Sequence, residues 1–166
     1  MFSNIVDKIF PPRPVHAHCD IPCGIYDPYQ AQVAAHTVIR MVNLLNEINV
    51  SSSEPDFDER KRVISRVARL TSVKEEHAEM VKREVRILWG DYFKPEHAEK
   101  FPNLHQLVFD IMKLASKTRQ EINLEAAEQL IGKVQEFAEI FWKTKDKESI
   151  RVKSTYPTEG ELVLPK

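Results

Sequence analysis

The sequence predicts an all-α fold, an antiparallel four-helix bundle. Four segments of about fifteen residues or more carry apolar side chains at helical spacing, long enough for bundle helices. The breaks between them hold proline, serine and asparagine. No strand pattern is expected to compete with the helical one. The 166 residues contain only four glycines, 42% are hydrophobic and 30% charged, the balance of an ordinary helical domain with a sizeable core.

The first helix is expected from Tyr29 to Ile48. Asp27 offers an N-cap oxygen, Pro28 a preset φ for the first turn, and Ala31, Ala35, Val38, Val42, Leu45 and Ile48 make the apolar stripe. His36 falls at the edge of that stripe, where a histidine is ordinarily a packing residue. Residues 49–55 (NVSSSEP) read as a loop. Phe57 to Trp89 is helical by pattern through Val63, Val67, Leu70, Val73, Met80, Ile87 and Leu88. Thr71 and Ser72, followed by Glu75, form a candidate capping box, so one long helix or two shorter ones both fit. The mixed-sign runs at 59–62 and 82–84 read as solvated faces. Residues 95–102 are expected to be a connector with His97 at the surface. A third helix runs from Asn103 to Thr118, and Asn123 caps a fourth carrying Ala126, Leu130, Val134, Phe137, Ala138 and Phe141. The bundle thus occupies 29–145. Residues 146–166 read as a mobile C-terminal tail, with docking of Leu162-Val163-Leu164 on a neighbouring subunit the sharper alternative.

A net charge of −1 gives no argument for a nucleic-acid partner or an anionic membrane surface. No apolar run approaches the roughly 20 residues that span a bilayer. The first seventeen residues (MFSNIVDKIFPPRPVHA) look like a leader. Ile5, Val6, Ile9 and Phe10 begin an amphipathic piece that Pro11, Pro12 and Pro14 end, and a small residue, Ala17, closes the segment. Asp7 and Lys8 interrupt the only candidate export signal, so the expected compartment is the cytoplasm, with an extracytoplasmic one left open. A frayed N-terminus fits the same composition.

The unusual chemistry stands at His18-Cys19-Asp20-Ile21-Pro22-Cys23-Gly24-Ile25-Tyr26-Asp27-Pro28, which holds both cysteines of the chain. Thiolates suit soft, late first-row metals, and imidazole suits zinc, copper, iron and nickel alike. Pro22 favours a tight turn between the cysteines, and Gly24 lets the backbone turn away afterwards. If the chain is cut before His18, its new α-amine and the Cys19 amide nitrogen stand beside both thiolates. By spacing alone a metal site, a small-loop disulfide and two ordinary thiols in a turn all remain open.

The segment HCDIPCGIYDP resembles the N-terminal hook of nickel superoxide dismutases, whose mature chains begin at this histidine. Leu88 to Pro95 (LWGDYFKP), Phe101 to Val108 (FPNLHQLV) and Ile140 to Lys145 (IFWKTK) resemble further family segments, in the family's order. The resemblance implies disproportionation of superoxide at one nickel ion per subunit. It implies that the metal is held by His18 through amine and imidazole, by Cys19 through amide and thiolate, and by Cys23 through thiolate. Tyr26 is implied as the catalytic-site tyrosine lining the approach of the anion, and Asp20 and Pro22 as shapers of the hook. Tyr92 and Lys94, in the second segment, could approach it from another helix or subunit, but Lys94 reads first as a solvated surface lysine. A leader-processing protease and a homohexameric assembly are implied as partners. Family members carry glutamate at the position of Ala34 and arginine at that of His77, both supporting the axial imidazole, so that support differs here. A non-catalytic nickel, copper or zinc carrier or sensor, and a helical interaction protein with incidental cysteines, are the alternative classes.

Overall fold

The computed structural model describes residues 24–166. Their core is a bundle of four long helices: α1 (Tyr29–Asn46), α2 (Phe57–Ile87), α4 (Leu104–Gln120) and α5 (Leu124–Thr144). A π-helical turn (Leu88–Tyr92) and a short α3 (Pro95–Lys100) join α2 to α4. The long helices pack in a ring, α1 on α2, α2 on α4, α4 on α5 and α5 on α1. The predicted bundle is therefore present, built from the predicted stripes. Ala31, Ala35, Val38 and Val42 of α1 meet Val81 and Val85 of α2, Leu107 and Ile111 of α4, and Leu130, Val134 and Phe137 of α5 in one core.

Several boundaries differ from the sequence reading. Helix α1 stops at Asn46. Its cap position is Pro28, and the Asp27 carboxylate acts one place earlier, accepting from the Tyr29 N–H at 2.7 Å. Helix α2 is a single helix of 31 residues, about 46 Å long. Thr71 and Ser72 are absorbed into it, and the helix's buried side chains, Lys74, Ala78, Val81 and Val85, all follow them. Its start is capped where the chain first allows, by Asp56, whose carboxylate accepts from the Glu59 N–H. The connector at 95–102 contains α3, and His97 is half-buried rather than at the surface.

The largest correction concerns the C-terminus. Residues 146–166 are neither a loose tail nor free of strands. β1 (Ser149–Lys153) and β2 (Glu161–Pro165) form an antiparallel hairpin with Ile150 opposite Leu164 and Val152 opposite Leu162. β2 lies on α1 and α5 of its own chain, burying Leu162 and Val163.

Candidate metal centre

The predicted ligands His18, Cys19 and Cys23 lie outside the described residues, as do Asp20 and Pro22. What the structure describes is the exit from that segment and the surface it leaves. Gly24 has φ +78°, the left-handed region that glycine enters without the penalty a Cβ brings. This is the reversal expected immediately after Cys23. Ile25 is exposed, Tyr26 turns back against the bundle, and Asp27 and Pro28 deliver the chain into α1.

Tyr26 meets Tyr92, with ring centroids 5.6 Å apart. The π-helical turn brings Tyr92 into place: the Phe93 N–H donates to the Leu88 carbonyl, five residues back, which widens the turn by one residue. Tyr92 and Phe93 then face α5, where Tyr92 lies 4.7 Å from Phe141 and Phe93 lies 5.4 Å from Phe137. Trp89, on the same turn, donates instead to His105 Nδ1 on α4 at 2.9 Å.

The Tyr92 hydroxyl is 2.8 Å from Thr144 Oγ1, and Thr144 gives its own proton to the Phe141 carbonyl at 2.7 Å. Tyr92 must therefore be the donor, so its proton has a fixed direction and its oxygen keeps acceptor capacity. His97 stacks on the Tyr92 ring at 5.7 Å and 21°, while its Nδ1 accepts from the Lys94 N–H. That bond puts the imidazole proton on Nε2. The ammonium of Lys145 lies 5.3 Å from the centre of the Tyr92 ring and 5.1 Å from that of Phe141, a cation over two aromatic faces. Among the described residues it makes no ion pair, so its charge is not cancelled locally. Lys94, the lysine singled out from sequence, is exposed at the start of α3.

The two positions where the family's supporting residues are replaced are also described. Ala34 is buried in the core, and His77 gives its Nδ1 proton to the Val73 carbonyl of its own helix at 2.8 Å. The His77 ring is thus committed to α2 at one nitrogen. Sequence reasoning missed Thr144, His97 and Lys145. The first two are recognisable only once the π-turn has set the direction of Tyr92. Lys145 stood inside a matched segment but carried no signal of its own.

Among the described residues, no group of three or more His, Cys, Asp or Glu side chains could hold a metal, and no helix is long and apolar enough to cross a membrane. The chain's only two cysteines are Cys19 and Cys23, so any thiolate-held metal in one copy of this chain uses that segment.

A family model described as nickel-containing superoxide dismutase matches residues 13–145. The superoxide dismutase [Ni] of Streptomyces coelicolor is 37% identical over 142 residues, covering 85% of this chain and 98% of that protein. The corresponding protein of Streptomyces seoulensis is 33% identical over the same length, with the same coverage. A native nickel superoxide dismutase structure solved at 1.30 Å is similar with a TM-score of 0.63 and 36% identity, covering 77% of this chain and 99% of that one.

Proposed function

The chain belongs to the nickel-containing superoxide dismutase family, and on that premise we propose that it disproportionates superoxide at a single nickel held by His18, Cys19 and Cys23. The carrying observation is the donor set. Both cysteines stand five positions or fewer from His18, with an amine and an amide nitrogen made adjacent by cleavage after Ala17. Two thiolates, an imidazole and backbone nitrogens fit nickel chemically, since soft sulfur and strong nitrogen donors suit its higher oxidation state far better than water does. Nickel held by these residues would supply a one-electron +2/+3 couple, by which one superoxide would be oxidised to oxygen and a second reduced and, with two protons, released as hydrogen peroxide.

The remaining work belongs to this chain's own residues. Tyr26 flanks the approach of the anion and is held there by Tyr92, whose hydroxyl is in turn fixed on Thr144. Lys145 keeps positive charge on that aromatic cluster, which favours an approaching anion. Asp20 shapes the hook backbone rather than facing the substrate, because a carboxylate there would repel it. In this reading residues 1–17 are a leader removed by a protease, 18–28 the hook and 29–145 the bundle. The working form is a cytoplasmic homohexamer.

Natively produced protein tests the proposal. Intact mass is expected to place the N-terminus at His18, and metal analysis to give one nickel per chain. Cys19→Ser is expected to bring superoxide consumption down to the uncatalysed rate with far-UV circular dichroism unchanged, because the bundle core lies outside the hook. Full activity in that variant, or a nickel-loaded chain that leaves superoxide decay unaltered, would overturn the reading.

A further inference from the structure

The C-terminal hairpin begins at Ser149, past the 13–145 that match the family, and buried polar bonds hold it to the helix that leaves the hook. Gln32, fully buried on α1, uses both ends of its amide on one residue of β2. Its Nε2 donates to the Val163 carbonyl at 3.0 Å, and its Oε1 accepts from the Val163 N–H at 2.7 Å. The side chain thereby completes the outer edge of β2 as a neighbouring strand would. One turn on, His36 is 4% exposed, and its Nε2 donates to the Glu161 carbonyl at 3.0 Å. That leaves Nδ1 to accept from the Thr158 hydroxyl, also at 3.0 Å. Gly160 lies against the imidazole, where a Cβ would collide with the ring at Cε1. Tyr29, at the first position of α1, places its hydroxyl 3.3 Å from that of Tyr156. Residues 29, 32 and 36 share one helix face, so the hairpin grips the first two turns of α1 along a line.

We propose that the hairpin is a brace for the metal hook, with Gln32 and His36 as its positioning residues. Only residues 24–28 separate Cys23 from α1, so the direction in which the hook leaves the bundle is set by those two turns. A buried Gln32 without Val163 would leave an amide unpaired and away from water. The grip is therefore either made or the helix start loosens. The bonds are directional on both sides, which fixes the rotation of α1 about its axis as well as its position.

The proposal rests on the reading of residues 18–23 as the nickel ligands. Its test is therefore chosen to work with and without metal. In the full processed chain, Gln32→Met removes both amide bonds at similar volume, and Gly160→Val pushes His36 off the hairpin. Amide hydrogen exchange from Val33 to Thr37 is expected to accelerate at least about tenfold in both variants, with α4 unchanged. Nickel release to a chelator is expected to speed up by about tenfold, the lower range for loss of a residue that orients metal ligands, with a shifted nickel–thiolate absorption band. If Gly160→Val does not fold, Gln32→Met decides. Unchanged exchange at 33–37, acceleration spread evenly over all helices, or faster exchange with nickel release and absorption band unaltered would each overturn the brace. A parent chain that takes up no nickel would instead overturn the ligand reading, while the exchange comparison would still report on the grip.

Discussion

Extending the processed chain by one residue before His18 is expected to abolish its superoxide-consuming activity while the helices remain folded. The extension turns the α-amine into a peptide amide, replacing a strong neutral donor by a group that must lose a proton to bind. Removing residues that merely orient ligands costs roughly 10–100-fold; losing a ligand should exceed the top of that range. The bundle is indifferent to the change, since the core cluster runs from Ala31 to Val163. Circular dichroism and thermal melting should match the processed form, and only nickel binding and turnover should fail. Activity equal to that of the processed chain would refute the amine ligand. The same argument gives a pH dependence. A free α-amine ordinarily holds its proton below about pH 7.7, and thiols theirs below about pH 8.5. Nickel must displace these protons, so its apparent affinity should fall as pH is lowered.

The bundle was legible because each long helix has one wet and one dry face, and that leaves a period in the sequence. Ala31, Ala35, Val38 and Val42 announce α1, and all four are fully buried. Asn123 announces a helix start because a cap needs a particular side-chain oxygen, and it accepts the Ala126 N–H. The hairpin left no comparable trace. In β1, Ile150 and Val152 alternate with polar residues but are substantially exposed, while in β2 the adjacent Leu162 and Val163 are both buried. Its grip comes from Gln32 and His36, polar residues whose strand partners lie more than 120 positions away. A side-chain amide standing in for a strand has no sequence period to betray it.

The site divides in the same way. The proposed ligand segment is local and chemically unusual, so two cysteines around a proline and a histidine could be singled out at once. The surface where the described chain begins, around Tyr26, is assembled from three elements. Tyr92 reaches Tyr26 only because the chain makes one wide turn after Leu88, and Thr144 matters only because it ends α5 beneath that hydroxyl. Neither the wide turn nor the pairing has a compositional signature that would distinguish it from ordinary helix.

Lys74→Met is expected to destabilise the fold by about 3 kcal/mol, without touching the hook. Lys74 is 1% exposed in the middle of α2, an unusual place for an ammonium. It is tolerated because the end of α4 supplies what the charge needs. The three N–H bonds go to the carbonyls of Thr118, Arg119 at 2.8 Å and Glu121 at 3.1 Å. These are among the carbonyls a helix terminus leaves without internal partners, and the negative end of the helix dipole lies there too. Methionine keeps the packing of the stem but strands the carbonyls, and hydrogen bonds to a charged group are worth about 1.5–3 kcal/mol each before desolvation is subtracted. That subtraction is real: burial pushes the Lys74 pKa below the usual 10.5, with Glu75 opposing the shift and Arg119 adding to it. The folded chain therefore gives up this proton at a lower pH than the unfolded chain. In the window just beneath 10.5 the unfolded state holds more protons, so the contribution of Lys74 to stability increases with pH. The gap between parent and Lys74→Met in urea unfolding should accordingly be wider at pH 10 than at pH 7. A methionine variant as stable as the parent at both values would mean that the cost of burying the ammonium cancels its three bonds, and that α4 ends where it does for another reason.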